Sequence, residues 1–256
     1  MLPREHGAYG QIAFPLIAAY AVAGVSTASL LITVTVIAGF LAHEPAAIVL
    51  GQRGGRVKRE LGASATRWLV CCLAVGVAAG LAAVGRLDAV TRWSLAIPAV
   101  PAVALMLAMI KGREKSWFGE AAAALAFAGA AVPIALAAGA SMDMALAVAI
   151  PFALLFTTTT LAVRVVVLRV RGGGDPGAAA ATQRAALILS GISTLMIGAL
   201  AMTGWLASSV LIAAAPGLLT GAIVAVRPPA ATRLRSLGWS LVAVSTLTTL
   251  IVIATA

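Results

Sequence analysis

Nine apolar runs, the near-absence of charge inside them and a one-sided placement of the bases between them predict an all-α fold. It is a polytopic membrane bundle of about nine transmembrane helices, one domain over residues 1–256. Of the 256 residues 62% are hydrophobic and 10% charged, with a mean hydropathy of +1.06. A soluble globule carries roughly 25% charged residues, so this composition excludes one. The formal net charge of +10 would point to nucleic acid in a soluble domain. Here the bases lie between apolar runs, where a bilayer with anionic headgroups and the topology signal account for them, and no nucleic-acid partner is expected.

A helix needs roughly 20 apolar residues to cross the hydrocarbon core. Runs of that length fall at about 11–28, 30–50, 67–85, 93–110, 120–140, 143–168, 184–204, 206–226 and 237–255. The first is long and is followed at once by another, with no small-residue cleavage site, so no signal peptide is expected and the amino end stays attached. With that end inside, the inner segments collect Arg4, then Arg53, Arg56, Lys58, Arg59 and Arg67, then Lys111, Arg113 and Lys115. Arg164, Arg169, Arg171, Arg184, Arg227, Arg233 and Arg235 follow, leaving only Arg86 and Arg92 outside, sixteen bases against two. The positive-inside rule then predicts a multi-pass membrane protein with its amino end cytoplasmic and its carboxyl end outside. A miscounted helix would scatter the bases over both faces, so the segregation supports the count as well.

Gly76 with Gly80, and Gly217 with Gly221, have the small-xxx-small spacing that lets helices approach closely. Prolines 15, 45, 98, 101, 133, 151 and 216 fall in or near spans, where each removes a backbone donor and permits a bend. Cys71 and Cys72 are neighbours within one run and read as packing residues. The stretch from Gly172 to Gly177 lacks the strand-to-helix context of a phosphate loop and reads as a linker.

The rare polar groups gather on the inner side. Glu5 and His6 stand at the mouth of span one, His43 and Glu44 near the inner end of span two, and Glu120 opens span five. Thr157, Thr160 and Arg164 follow i, i+3, i+7 spacing and share a helix face. An arginine inside an apolar stretch faces a cavity, a carboxylate or an anionic ligand. Each group also has a structural reading. Glu5 and His6 can cap the first helix, Glu44 can pair with Arg164, the threonines can bond their own helix's carbonyls, and Arg53 to Arg59 can anchor the chain in lipid headgroups. As chemistry, a doubled His-Glu pair suits acid–base catalysis, proton relay or metal ligation. Adjacent helical residues point about 100° apart, so neither pair can chelate as i, i+4 ligands do, and no metal is assigned.

The opening Pro3-Arg4-Glu5-His6-Gly7-Ala8-Tyr9-Gly10, with Pro15 behind it, resembles the YwiC-like family of bacterial membrane proteins. The resemblance covers the whole span pattern and is most specific in that opening and around His43-Glu44-Pro45. Relatives often carry tryptophan at the position of Tyr9 and can carry glutamine at that of Glu5, which shifts the weight within the first pair to His6. The resemblance implies a bacterial inner (cytoplasmic) membrane and no established reaction, and it leaves the cofactor unknown. In span number and polar inner loops the chain also resembles the UbiA superfamily of intramembrane prenyltransferases, though the places matching that superfamily's Asp-rich motifs hold no Asp-x-x-x-Asp.

The expectation from these readings is a UbiA-like bundle that binds or modifies an isoprenoid or other lipid-like substrate with an anionic head, in a cytoplasm-facing cavity. If it is an enzyme, it is a transferase without the Asp-rich motifs. His6, His43 and Glu44 are the candidate acid–base groups. Glu5, Arg53, Glu120, Thr157, Thr160 and Arg164 are the candidate substrate contacts. The competing classes are a small-molecule transporter and a non-catalytic membrane partner of a respiratory or lipid-modifying complex.

Overall fold

The structure, a computed structural model, describes residues 6–170 and 176–255. Glu5, Arg171 and the Gly172–Asp175 part of the glycine-rich linker lie outside the described residues. The apolar runs form helices: α1 His6–Ala23, α2 Thr27–Val49, α3 Gly55–Val84, α4 Ala89–Ser94, α5 Ala96–Ile110, α6 Trp117–Gly129, α7 Ala131–Ala137, α8 Met142–Val170, α9 Pro176–Met202, α10 Ser208–Val226 and α11 Leu234–Thr255. With α4–α5 and α6–α7 each taken as one broken rod, eight are long and apolar enough to cross a membrane, and α1 is a shorter apolar helix beside them. The chain is a polytopic, all-helical membrane protein.

Both broken rods have the same cause. A proline deprives the carbonyl four residues earlier of its donor and crowds it. Pro98 does this to Ser94, where α4 ends, and Pro133 does it to Gly129, where α6 ends. Several helix ends depart from the expected spans, three of them for a clear local reason. The first helix stops at Ala23, because Gly24 takes φ +80° and Ser26 caps α2, accepting from the Ser29 amide at 3.0 Å. The third begins at Gly55 instead of 67, its basic first turns held by the i, i+4 pair of Arg56 with Glu60 at 2.8 Å. The seventh expected span, now α9, begins at Pro176 instead of 184, proline being favoured at a first helical position.

The core lies among α1, α2, α6, α7 and α8, closed by α10 and α11, with Ile12, Ile32, Val132, Phe152 and Leu155 among its buried side chains. Helices α3, α5 and α9 pack on this centre and leave most of their surface exposed. Both glycine pairs mark close approaches. A Cβ at Gly217 would stand 2.8 Å from the Leu155 Cα, and one at Gly221 2.9 Å from the Thr158 hydroxyl, which seats α10 on α8. Gly76 and Gly80 meet Ala38 and Thr35 of α2 more loosely, at 3.3 and 3.5 Å.

Candidate functional site

Two helix ends of one design build the first polar centre. At the end of α2, the Gly51 amide bonds the Ile48 carbonyl and the Gln52 amide that of Ala47, both at 2.9 Å. At the end of α5, the Gly112 amide bonds Met109 at 2.9 Å and the Arg113 amide bonds Ala108 at 2.7 Å. This double closure needs a left-handed residue just past the helix, which glycine supplies, and Gly51 and Gly112 take φ +80° and +67°. The residue two positions after each glycine is then thrown to the same side: Arg53 in one loop, Glu114 in the other.

These two meet. Arg53 Nη1 donates to Glu114 at 2.7 Å, while its Nη2 donates to Glu44 at 2.7 Å and its Nε reaches both Glu44 oxygens at 3.2 Å. His43 Nε2 stands 3.4 Å from Glu114 Oε2, an oxygen that accepts no hydrogen bond among the described residues. Glu44 and Glu114 are 5% and 9% exposed, so two carboxylates are taken out of water against one guanidinium among the described residues. The Glu44 hydrogen bond raises the Arg53 pKa further above its ordinary high value; burial opposes this and Glu114 adds to it. Gln52 adds a second tie between the loops, its side-chain amide donating to the Met109 carbonyl. Gly119 is a condition of the fold here, since any Cβ on it would collide with the Glu114 carbonyl.

The peptide after Glu114 carries the second centre. Arg164 of α8 donates through Nη1 to the Lys115 carbonyl at 2.6 Å and to Glu120 of α6 at 3.0 Å. One turn earlier on α8, Thr160 accepts from Gln11 of α1 at 3.3 Å. These groups rim a cavity of about 340 Å³ between α1, α6, α8 and α11. Its walls are apolar, with Phe14, Leu155, Phe156, Val163, Val167 and Leu241 prominent. Gly7 and Gly10 of the opening segment also line it. Tyr9, between them, packs edge-on against Phe40 at 5.1 Å, and Phe40 against Phe127 at 5.6 Å, joining α1, α2 and α6.

The sequence-predicted residues therefore divide. His43, Glu44 and Arg53 come together in the buried cluster, and Glu120, Thr160 and Arg164 at the cavity. Glu44 pairs with Arg53 and not with Arg164, and Arg53 turns inward while Arg56 stays exposed in a pair with Glu60. Thr157 is buried, donates to the Ala153 carbonyl at 2.6 Å and is not part of the cavity wall. His6 is the first residue of α1, and Glu5 lies outside the described residues. Sequence reasoning missed Glu114, Gln11 and Gln52. Glu114 was legible in principle: a lone acid among Lys111, Arg113 and Lys115, two places after a helix-ending glycine, as Arg53 is.

The helices and the two centres define an integral membrane protein with a buried ion cluster and an amphipathic cavity at the end of the bundle that carries the 50–54 and 111–116 loops. A family model described as YwiC-like protein matches residues 2–135, just over half of the 256 residues, and the chain belongs to the YwiC-like family. That stretch includes Gln11, His43, Glu44, Arg53, Glu114 and Glu120, and stops before Thr160 and Arg164. No curated protein and no solved structure matches the chain.

Proposed function

We propose that the protein binds a single-chain amphiphile with an anionic head, an isoprenoid phosphate or a related lipid, in the cavity between α1, α6, α8 and α11. The observation that carries this reading is Arg164 at the rim of an otherwise apolar cavity. Its protein bonds both run through Nη1, which leaves Nε and Nη2 to donate to an anion, the geometry for which arginine is suited. Gln11 and Thr160 add neutral hydrogen-bonding groups, and Phe14, Phe156 and Val163 offer wall for a tail. A volume of about 340 Å³ is at the small end for ligand pockets, which favours one chain over two.

On this reading the base-rich end of the bundle faces the cytoplasm of a bacterial inner membrane, as the sixteen-to-two distribution of bases supports. His43 and Glu44 are turned into the ion cluster and do not line the cavity, so they serve to fix the two loops, and the cavity acts in binding. Native mass spectrometry of the gently purified protein tests the proposal. A retained anionic lipid is expected, its occupancy falling about tenfold in Arg164→Ala, in line with loss of a charge-assisted contact, and also in Val163→Trp, which fills the cavity. No retained lipid, or equal retention in both variants, overturns it.

A further inference from the structure

A second cavity, of about 240 Å³, opens at the opposite end of the bundle, where the Ser26 hydroxyl of the α1–α2 turn bonds the Ala137 carbonyl at 2.7 Å. It is lined by Ser141, Asp143 and Val148 beside and on α8, Ser209 of α10, and Val252 and Thr255 of α11. The two cavities share two helices. On α11 the first ends at Ser245 and the second begins at Val252; on α8 the corresponding residues are Leu155 and Val148. Both intervals are seven residues, so at about 1.5 Å per residue the layer between the cavities is about 10 Å thick.

Thr248 lies in that layer. It is 0% exposed, and its hydroxyl has no hydrogen-bond partner among the described residues. Its neighbours behave differently. Ser245, Thr246, Thr249 and Thr255 each donate to the carbonyl four residues earlier, at 2.8, 3.0, 2.8 and 2.9 Å. Thr248 does not make that bond, although the same helix offers it. A buried hydroxyl left unpaired is costly, and an internal water is the ordinary partner of such a group. Ser245, Thr248, Val252 and Thr255 fall at i, i+3, i+7 and i+10, on one face of α11. One hydroxyl stands at each cavity and one between them.

We infer that the two cavities are the vestibules of a proton path across the bundle, a file of waters passing Thr248, with Glu120 and Asp143 as the titratable groups at its mouths. Phe152, also fully buried, sits on α8 between Val148 and Leu155 and makes the middle of the path an apolar constriction. Such a constriction bars solutes and hydrated ions and admits single waters. The path shares the first cavity with the lipid reading but does not rest on it, because Thr248 and Asp143 lie outside the lipid-lined wall.

The test uses the whole protein in vesicles of neutral lipid that enclose a pH-sensitive dye, with an inward proton drive set by a potassium gradient and valinomycin. Internal acidification is expected to run about tenfold faster than in protein-free vesicles, with Thr248→Val, which keeps the shape and deletes the hydroxyl, slowing it about fivefold or more. Thr248→Ser should conduct as the wild type does, and Asp143→Asn should be slowed. Thr157→Val, which deletes a hydroxyl bonded to its own helix and lining neither cavity, should conduct as the wild type does. A wild-type rate equal to that of empty vesicles, or a Thr248→Val protein that is monodisperse and conducts at the wild-type rate, overturns the inference.

Discussion

The two arginine–glutamate centres at the base-rich end set the same side chains in opposite arrangements. Around Arg53, every donor direction toward the protein is taken: Nε and Nη2 by Glu44, Nη1 by Glu114, with both acids nearly out of contact with solvent. Around Arg164, one nitrogen makes both protein bonds, its acid partner Glu120 keeps a third of its side chain exposed, and a cavity opens beside them. The first arrangement is closed and holds two loops; the second is held from one side and open on the other. Burial and spare donors, more than residue type, separate the closed ion pair from the one we propose binds a ligand.

The largest effect expected from this contrast is on stability. Arg53→Met removes the one guanidinium that, among the described residues, bridges two buried carboxylates, and should cost about 3–5 kcal/mol, the range for breaking a buried ion pair from one side. Adding Glu44→Gln and Glu114→Gln removes the uncompensated charge and should restore most of it. Arg164→Met, at a half-open site, should cost about 1 kcal/mol or less. Thermal unfolding in one detergent orders the three; equal losses from Arg53→Met and Arg164→Met would erase the distinction between the centres.

Next in size is a change that strikes both centres at once. Gly119→Ala forces a Cβ against the Glu114 carbonyl, and Glu114 and Lys115 are the consecutive residues that serve Arg53 and Arg164. Moving that turn should cost about 1–3 kcal/mol, as overpacking does. It should also lower lipid retention, whereas Gly7→Ala, with open space around its Cβ position, should leave stability unchanged. If Gly119→Ala lowered stability and kept full lipid retention, the two centres would be mechanically separate.

Much of this was legible from the chain, and the part that was not has a common cause. Long apolar runs and segregated bases report a transmembrane helix directly, because the bilayer imposes the length and the charge rule. The expected spans accordingly correspond to helices of the structure. Helix ends were less legible: the basic start of α3 reads as loop by composition, yet is helical from Gly55. The site was legible as a set of residues and not as pairs. Composition showed that Glu44, Arg53, Glu120 and Arg164 are rare polar groups at one end, but which acid meets which base depends on helix order around the bundle. Glu114 was hidden for a related reason. A carboxylate between bases in a linker looks solvated, and only the matching glycine closures of α2 and α5 turn it inward.

The smallest effect tests how far the open centre extends. Gln11 and Thr160 make one neutral side-chain hydrogen bond at 3.3 Å between α1 and α8, on the cavity wall and one turn from Arg164. Thr160→Val deletes the acceptor, and the net worth of such a bond is about 0.5–1.5 kcal/mol. Gln11 is partly exposed at the cavity and can be solvated when its partner is lost, so the lower half of that range is expected in stability. If Gln11 and Thr160 also contact the bound head, lipid retention should fall by about threefold, less than for Arg164→Ala because no charge is involved. Thr157→Val, whose hydroxyl serves only its own helix, should not change retention. Retention altered by Thr157→Val and untouched by Thr160→Val would move the head group off the α1–α8 wall and place the open centre elsewhere on α8.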